Sequence, residues 1–198
     1  ALSYASEEFC AALPLSLPML TKVDVEATDA SSGIIETAWI EAPEFDSTLY
    51  PPPYRLDLMG RAGNTGAFNS LLSVNNLDAG AFTHQNLNTQ NERYEYRIDV
   101  YAGPNLDKVG STATASSVFN NAQGSDQSVQ LEFDFDVPWL NERYIIYREE
   151  PTGSGQFDSI GESFSPSFLD SGRINGETYC YYAESYGRYT ASDSLPKP

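Results

Sequence analysis

A hydrolytic centre needs a nucleophile, a base beside it and an acid to orient that base. The chain's one histidine, His84, falls in a strand-like run with no such set around it, and reads as a strand residue. Asp134 and Asp136 are better placed, because residues two apart on a strand project from one face and glycosidases work with paired carboxylates. Such enzymes also need a deep cleft, so the pair reads as solvated acids. Residues Gly60 to Gly66, G-R-A-G-N-T-G, lead into a strand, so they lack the helix N-terminus that phosphate-cradling loops use. Asp126 and the two acids carry oxygens suited to calcium, but no D-x-D-x-D-G loop arranges them, and one His with two Cys is too few for a transition-metal site. No catalytic residue, cofactor or metal ligand is therefore assigned, and the expectation is a protein that is not an enzyme.

Aromatic surface is what the chain offers instead, with 13 Tyr, 10 Phe and 2 Trp. Trp139, Tyr182, Tyr186 and Tyr189 are candidate contacts for a glycan or protein ligand, since their neighbours in strand parity face inward or they lie in loops. Trp139, within D-V-P-W-L-N, has a second reading as a cap on the end of a β-sandwich, and the turn fixed by Pro138 favours the cap. Cys10 and Cys180 are too few for a disulfide framework, though they allow one bridge.

Twenty-eight acids against eleven bases give a formal charge of -17, a field that repels phosphate backbones and anionic lipid. Nucleic acid and membrane surfaces are accordingly excluded as expected partners. No run reaches the about 20 apolar residues of a membrane span, and Leu13 to Leu20 is interrupted by Pro14 and Pro18. The chain opens in an alternating pattern, L-S-Y-A, without the phases of a signal peptide, and reads as a segment of a longer protein.

The elements that would carry these side chains come from a tandem repeat. T-Q-N-E-R-Y-E-Y-R-I-D-V-Y, ending at Tyr101, and I-N-G-E-T-Y-C-Y-Y-A-E, ending at Glu184, are two versions of one strand, with Tyr94 and Tyr179 in register at an offset of 179 - 94 = 85. A unit of that length is domain-sized. Strands are predicted at 21–27, 34–40, 54–59, 68–72, 81–84, 94–101 and 109–115, then at 129–135, 144–148, 157–160, 163–168 and 179–185, with a short connection around Ser116 to Asn121. The division is 1–17 as a closing strand or linker from a preceding domain, 18–116 as the first domain and 117–198 as the second, whose last strand is short or absent. Parity turns Tyr94, Tyr96, Ile98 and Val100 to a core, with Tyr179, Tyr181 and Ala183 matching them, and turns Glu95, Arg97, Asp99 and Cys180 outward.

An early Trp39 or Phe133, then Y-R-L or Y-I-I-Y-R, then a late Tyr behind an Asn-Gly turn together resemble fibronectin type III domains. The resemblance implies an all-β fold of two tandem fibronectin type III-like (Ig-like) β-sandwiches, with Tyr94 and Tyr179 as the tyrosine corners. More narrowly, V-D-V-E-A-T-D-A-S-S-G-I-I-E-T-A-W, V-P-W-L-N-E-R-Y-I-I-Y-R and N-G-E-T-Y-C-Y-Y resemble long Bacteroidota surface proteins associated with gliding motility and type IX secretion. That implies an exported, extracellular or outer-surface protein, a non-catalytic spacer or adhesion module whose partners are neighbouring domains of the same parent chain. The likeness of residues 2–10, L-S-Y-A-S-E-E-F-C, to a closing strand further implies strand exchange between chains, with Cys10 brought beside Cys180.

Overall fold

The computed structural model describes residues 16–189, and every regular element among them is a strand. The first eight are β1 (Met19–Ala27), β2 (Gly33–Ile40), β3 (Tyr54–Ala62), β4 (Asn69–Val74), β5 (Gly80–Leu87), β6 (Tyr94–Ala102), β7 (Asp107–Ser111) and β8 (Ala115–Ser116). They form two antiparallel sheets, β1-β2-β5 and β4-β3-β6-β7, with β8 also on β6. Alternation drives this pairing: β2 buries Ile35, Thr37 and Trp39 while intervening residues stay half-exposed, the pattern of a strand with one wet face. Leu20, Val23, Ile35 and Trp39 from one sheet meet Leu56, Leu58, Tyr96, Ile98 and Val100 from the other in one apolar cluster.

Six further strands repeat the plan: β9 (Phe119–Ser125), β10 (Ser128–Asp134), β11 (Leu140–Glu149), β12 (Phe157–Ser163), β13 (Ser167–Ser171) and β14 (Tyr181–Arg188). Their sheets are β13-β10-β9 and β12-β11-β14, packed through Leu131, Phe133, Tyr144 and Ile146. The order β5-β2-β1 against β4-β3-β6 recurs as β13-β10-β9 against β12-β11-β14. The fold is therefore two fibronectin type III-like sandwiches in series.

The structure corrects the connection read around Ser116 to Asn121. Phe119 already begins β9, so only Ser117 and Val118 separate β8 from β9. β9 (F-N-N-A-Q-G-S) was hidden because it is an edge strand, mostly exposed, with little of the alternation that marks a half-buried one.

Candidate functional site

The two sandwiches meet along a seam built from chemically distinct parts. Ser116 donates its backbone N–H to the Asp136 carbonyl at 2.7 Å and accepts the Asp136 N–H on its side-chain oxygen at 2.7 Å. Ser117 does the reciprocal work on the first sandwich, donating to the Tyr94 carbonyl at 2.9 Å and accepting the Tyr94 N–H at 3.2 Å. Ser116 and Ser117 thus stitch one sandwich to the other through their main-chain N–H groups and their side-chain hydroxyls. Arg93 adds an ionic bridge, with one guanidinium nitrogen 2.8 Å from Glu95 and another 3.0 Å from Asp134 on β10.

Trp139 and Tyr189 lie inside this seam: the burial of Trp139 goes with a packing role rather than with ligand contact, and Tyr189, read as a ligand contact, is corrected. Trp139 is 6% exposed and Tyr189 7% exposed, their rings meet edge to face at 5.8 Å, and both belong to the apolar cluster of the first sandwich. The Tyr189 hydroxyl donates to the carbonyl of Leu20 on β1, and burial pushes that hydroxyl's pKa up. Trp139 donates its Nε1–H to the Asn141 side chain at 3.1 Å. Neither ring offers a face to a ligand. Pro138 turns the chain after β10 and sends Trp139 back into the seam. Parity arguments missed Tyr189 because it follows the last regular residue of β14, where the alternation stops.

Tyr182 and Tyr186, the other two candidates, are on the outer face of β12-β11-β14 and are 39% and 43% exposed. Antiparallel register sets Tyr147 opposite Tyr182, Ile145 opposite Glu184 and Arg143 opposite Tyr186. Tyr147 and Tyr182 stack with centroids 4.5 Å apart and planes 12° apart, and Phe157 packs on Tyr182 at 5.1 Å. The Glu184 carboxylate accepts the hydroxyls of Tyr147 and Tyr186, both at 3.0 Å. Partial desolvation and that bond push the Tyr147 phenol up to about 12, while the same carboxylate raises Tyr186. The Arg143 guanidinium sits 4.9 Å from the Tyr186 ring and 3.6 Å from Glu162. Tyr147, Phe157, Glu184 and Arg143 were not singled out in the sequence; Tyr147 shows there only as part of the Y-I-I-Y-R motif.

The first sandwich treats its equivalent face differently. Glu95 and Asp99, expected to point outward, do lie on the outer side of β6 but are 1% and 3% exposed. Arg61 and Arg93 cover Glu95, and Arg97, Lys108 and Ser111 cover Asp99. Phe68 is held between the guanidinium groups of Arg61 and Arg97, each 4.4 Å from the ring. Burial raises the Asp99 carboxyl, but its bonds to Lys108, Ser111 and Arg97 outweigh that and hold it below the usual carboxylate value.

Of the remaining candidates, Tyr94 accepts the Asn88 N–H on its hydroxyl at 3.0 Å and Tyr179 accepts the Ile174 N–H at 3.1 Å, the local bond that a tyrosine corner makes. Cys180 is exposed just before β14, and Cys10 lies outside the described residues. His84 is half-buried on β5, 3.0 Å from the Tyr96 hydroxyl, among aromatic rings rather than beside a nucleophile. Asp134 reaches Arg93, and Asp136 is exposed. No group of three or more metal-ligating side chains occurs among the described residues, and no helix there is long and apolar enough to cross a membrane.

No protein-family model matches the sequence, and no curated protein matches it. Among solved structures the chain is similar to chicken CNTN1 FN1-FN3 domains, with a TM-score of 0.32 and 11% identity over 87% of this chain and 63% of that one. It is also similar to a chain of a cytokine receptor complex, with a TM-score of 0.32 and 12% identity over 89% of this chain and 98% of that one.

Proposed function

We propose that this chain is a non-catalytic, stiff two-module spacer or adhesion segment of an exported bacterial cell-surface protein, of the Bacteroidota kind associated with gliding motility or type IX secretion. In this reading residues 18–116 and 117–198 are the modules and 1–17 belong to a preceding closing strand or linker. The sequence motifs support the class of parent protein. The seam supports the mechanical role: a tandem joined by two residues, two main-chain hydrogen bonds, two more from main-chain N–H groups to serine hydroxyls and a shared aromatic core resists bending, whereas a flexible tether would lack those bonds. Function then consists of holding whatever lies on either side at fixed distance and orientation.

Backbone ¹⁵N relaxation tests this directly. A stiff pair gives one rotational correlation time for residues 19–116 and 119–188. Two shorter and different times would refute the spacer. Surface labelling of intact cells with an antibody to the chain tests export, and labelling seen only after lysis would refute that part.

A further inference from the structure

The outer face of β12-β11-β14 is a feature that the spacer role does not use. At the repeat offset, positions 97, 99 and 101 become 182, 184 and 186 (182 - 97 = 85). The first copy carries Arg97, Asp99 and Tyr101, and its own side chains close the face: Phe68 lies between two guanidinium groups, and Lys108 and Ser111 bond Asp99 at 2.7 Å each. The second copy keeps an acid at the centre, Glu184, but flanks it with the exposed Tyr182 and Tyr186. Folding does not demand the change at Tyr182, since the first sandwich builds the same sheet with Arg97 in that place and keeps Tyr101, the counterpart of Tyr186, half-buried beneath the Arg55 guanidinium at 4.1 Å.

The chemistry of the face selects its occupant. Glu184 is engaged by two hydroxyls, Glu162 by Arg143, and at the end of β14 Glu142 by Arg188 at 3.1 Å. A cationic ligand would have to displace these partners, and a polyanion would meet the net charge of -17. What remains is apolar ring surface beside oxygen lone pairs on Glu184, Tyr147 and Tyr186, the two phenol protons being already directed at Glu184. Such a surface complements a ligand that brings hydroxyl donors, C–H faces and no charge. Tyr182 and Tyr186 are four residues apart on one strand, about 13 Å, which is longer than one sugar ring. We propose that the outer face of β12-β11-β14 binds a neutral polysaccharide, with Tyr182, Tyr186 and Glu184 as its central contacts. This goes beyond the spacer role and does not depend on it.

Native electrophoresis of the whole chain through gels containing xyloglucan, mixed-linkage β-glucan, galactomannan or starch, with polygalacturonate as the anionic control, tests the proposal. The expected result is retardation by at least one neutral polymer, weakened about fivefold or more by Tyr182→Ala or Tyr186→Ala and unchanged by Phe164→Ala, an exposed aromatic outside this face. Chemical-shift mapping on the unmutated protein, with the retarding polymer's oligosaccharide as probe, keeps the test independent of how the variants fold. Shifts should centre on Tyr182, Glu184 and Tyr186. The proposal is overturned by retardation in none of the neutral gels, by retardation only in polygalacturonate, or by shifts centred elsewhere. Self-association that Tyr182→Ala abolishes, without any polysaccharide binding, would overturn it in favour of a protein contact.

Discussion

Replacing Trp139 with alanine probes the seam most sharply. Aromatic side chains bury about 150 to 250 Å², and Trp139 is 6% exposed within the first sandwich's apolar cluster although it follows β10 of the second. At about 25 cal/mol per Å² that burial corresponds to roughly 4 to 6 kcal/mol. Collapse of Tyr189 and neighbouring side chains into the space returns part of it, leaving an expected loss of about 3 to 5 kcal/mol, the range of large aromatic truncations in cores. The lost bond from Nε1 leaves the Asn141 Oδ1 without its donor beside an Nδ2 that is already buried without a partner, which keeps the loss from falling below that range. Urea denaturation followed by circular dichroism should show the midpoint falling by about 1.5 to 2.5 M at a slope of about 2 kcal/mol per M. Relaxation measurements on the same variant should show the two sandwiches beginning to tumble separately. A stability loss under about 1 kcal/mol, with tumbling unchanged, would mean that Trp139 merely lies against the joint, and the reasoning from burial to mechanical coupling would be wrong.

Burial pushes the His84 imidazole below its ordinary value of 6.5. The unfolded chain therefore binds the proton first, so stability should be complete above about pH 6.5, fall as the pH drops below it and level off beneath the lower folded value; His84→Phe should remove that slope in a melting series. Asp99 has the opposite sense, its folded value being held below 3.8, so its contribution is present above that pH and is lost as the pH falls through the folded value. Asp99→Ala should cost about 1 to 3 kcal/mol in urea denaturation by removing the charge-assisted bonds from Arg97, Lys108 and Ser111, the two cations being left partly solvated, and a cost near zero would show the cluster to be solvated throughout. Gly187→Ala would place a methyl group 2.0 Å from the Leu140 carbonyl oxygen, a backbone atom that cannot rotate away. A loss of at least about 1 to 3 kcal/mol in thermal unfolding is expected, with β14 separating from β11 beside the irregularity at Asn141.

The sequence made the strands legible wherever one face is apolar. Tyr94 to Tyr101 was read within one residue of β6, since β-branched and aromatic residues alternate there with charged ones. β11 and β14 each extend past the predicted ends because their terminal residues, Leu140 to Arg143 and Tyr186 to Arg188, pair by backbone across a bulge that no side-chain pattern signals. The outer faces were harder to read. Parity places Glu95 and Asp99 outside, but only the fold shows that Arg61 from β3 and Lys108 from β7 arrive to cover them. Of the phenolic face, Tyr182 reads as an outward tyrosine of the strand predicted at 179–185, whereas Tyr186 falls just past its predicted end. Their partner Tyr147 could not be assigned to them until the register of β11 against β14 was known.

Both tryptophans of the sequence, Trp39 and Trp139, sit in a single apolar cluster, and the second sandwich's own core contains neither. Indole emission therefore reports the first core and the joint while remaining blind to the core around Leu131, Phe133, Tyr144 and Ile146. A denaturation curve recorded from that emission need not coincide with one recorded from the peptide backbone, and the gap between the two curves would measure how far the second sandwich can melt while the joint still holds.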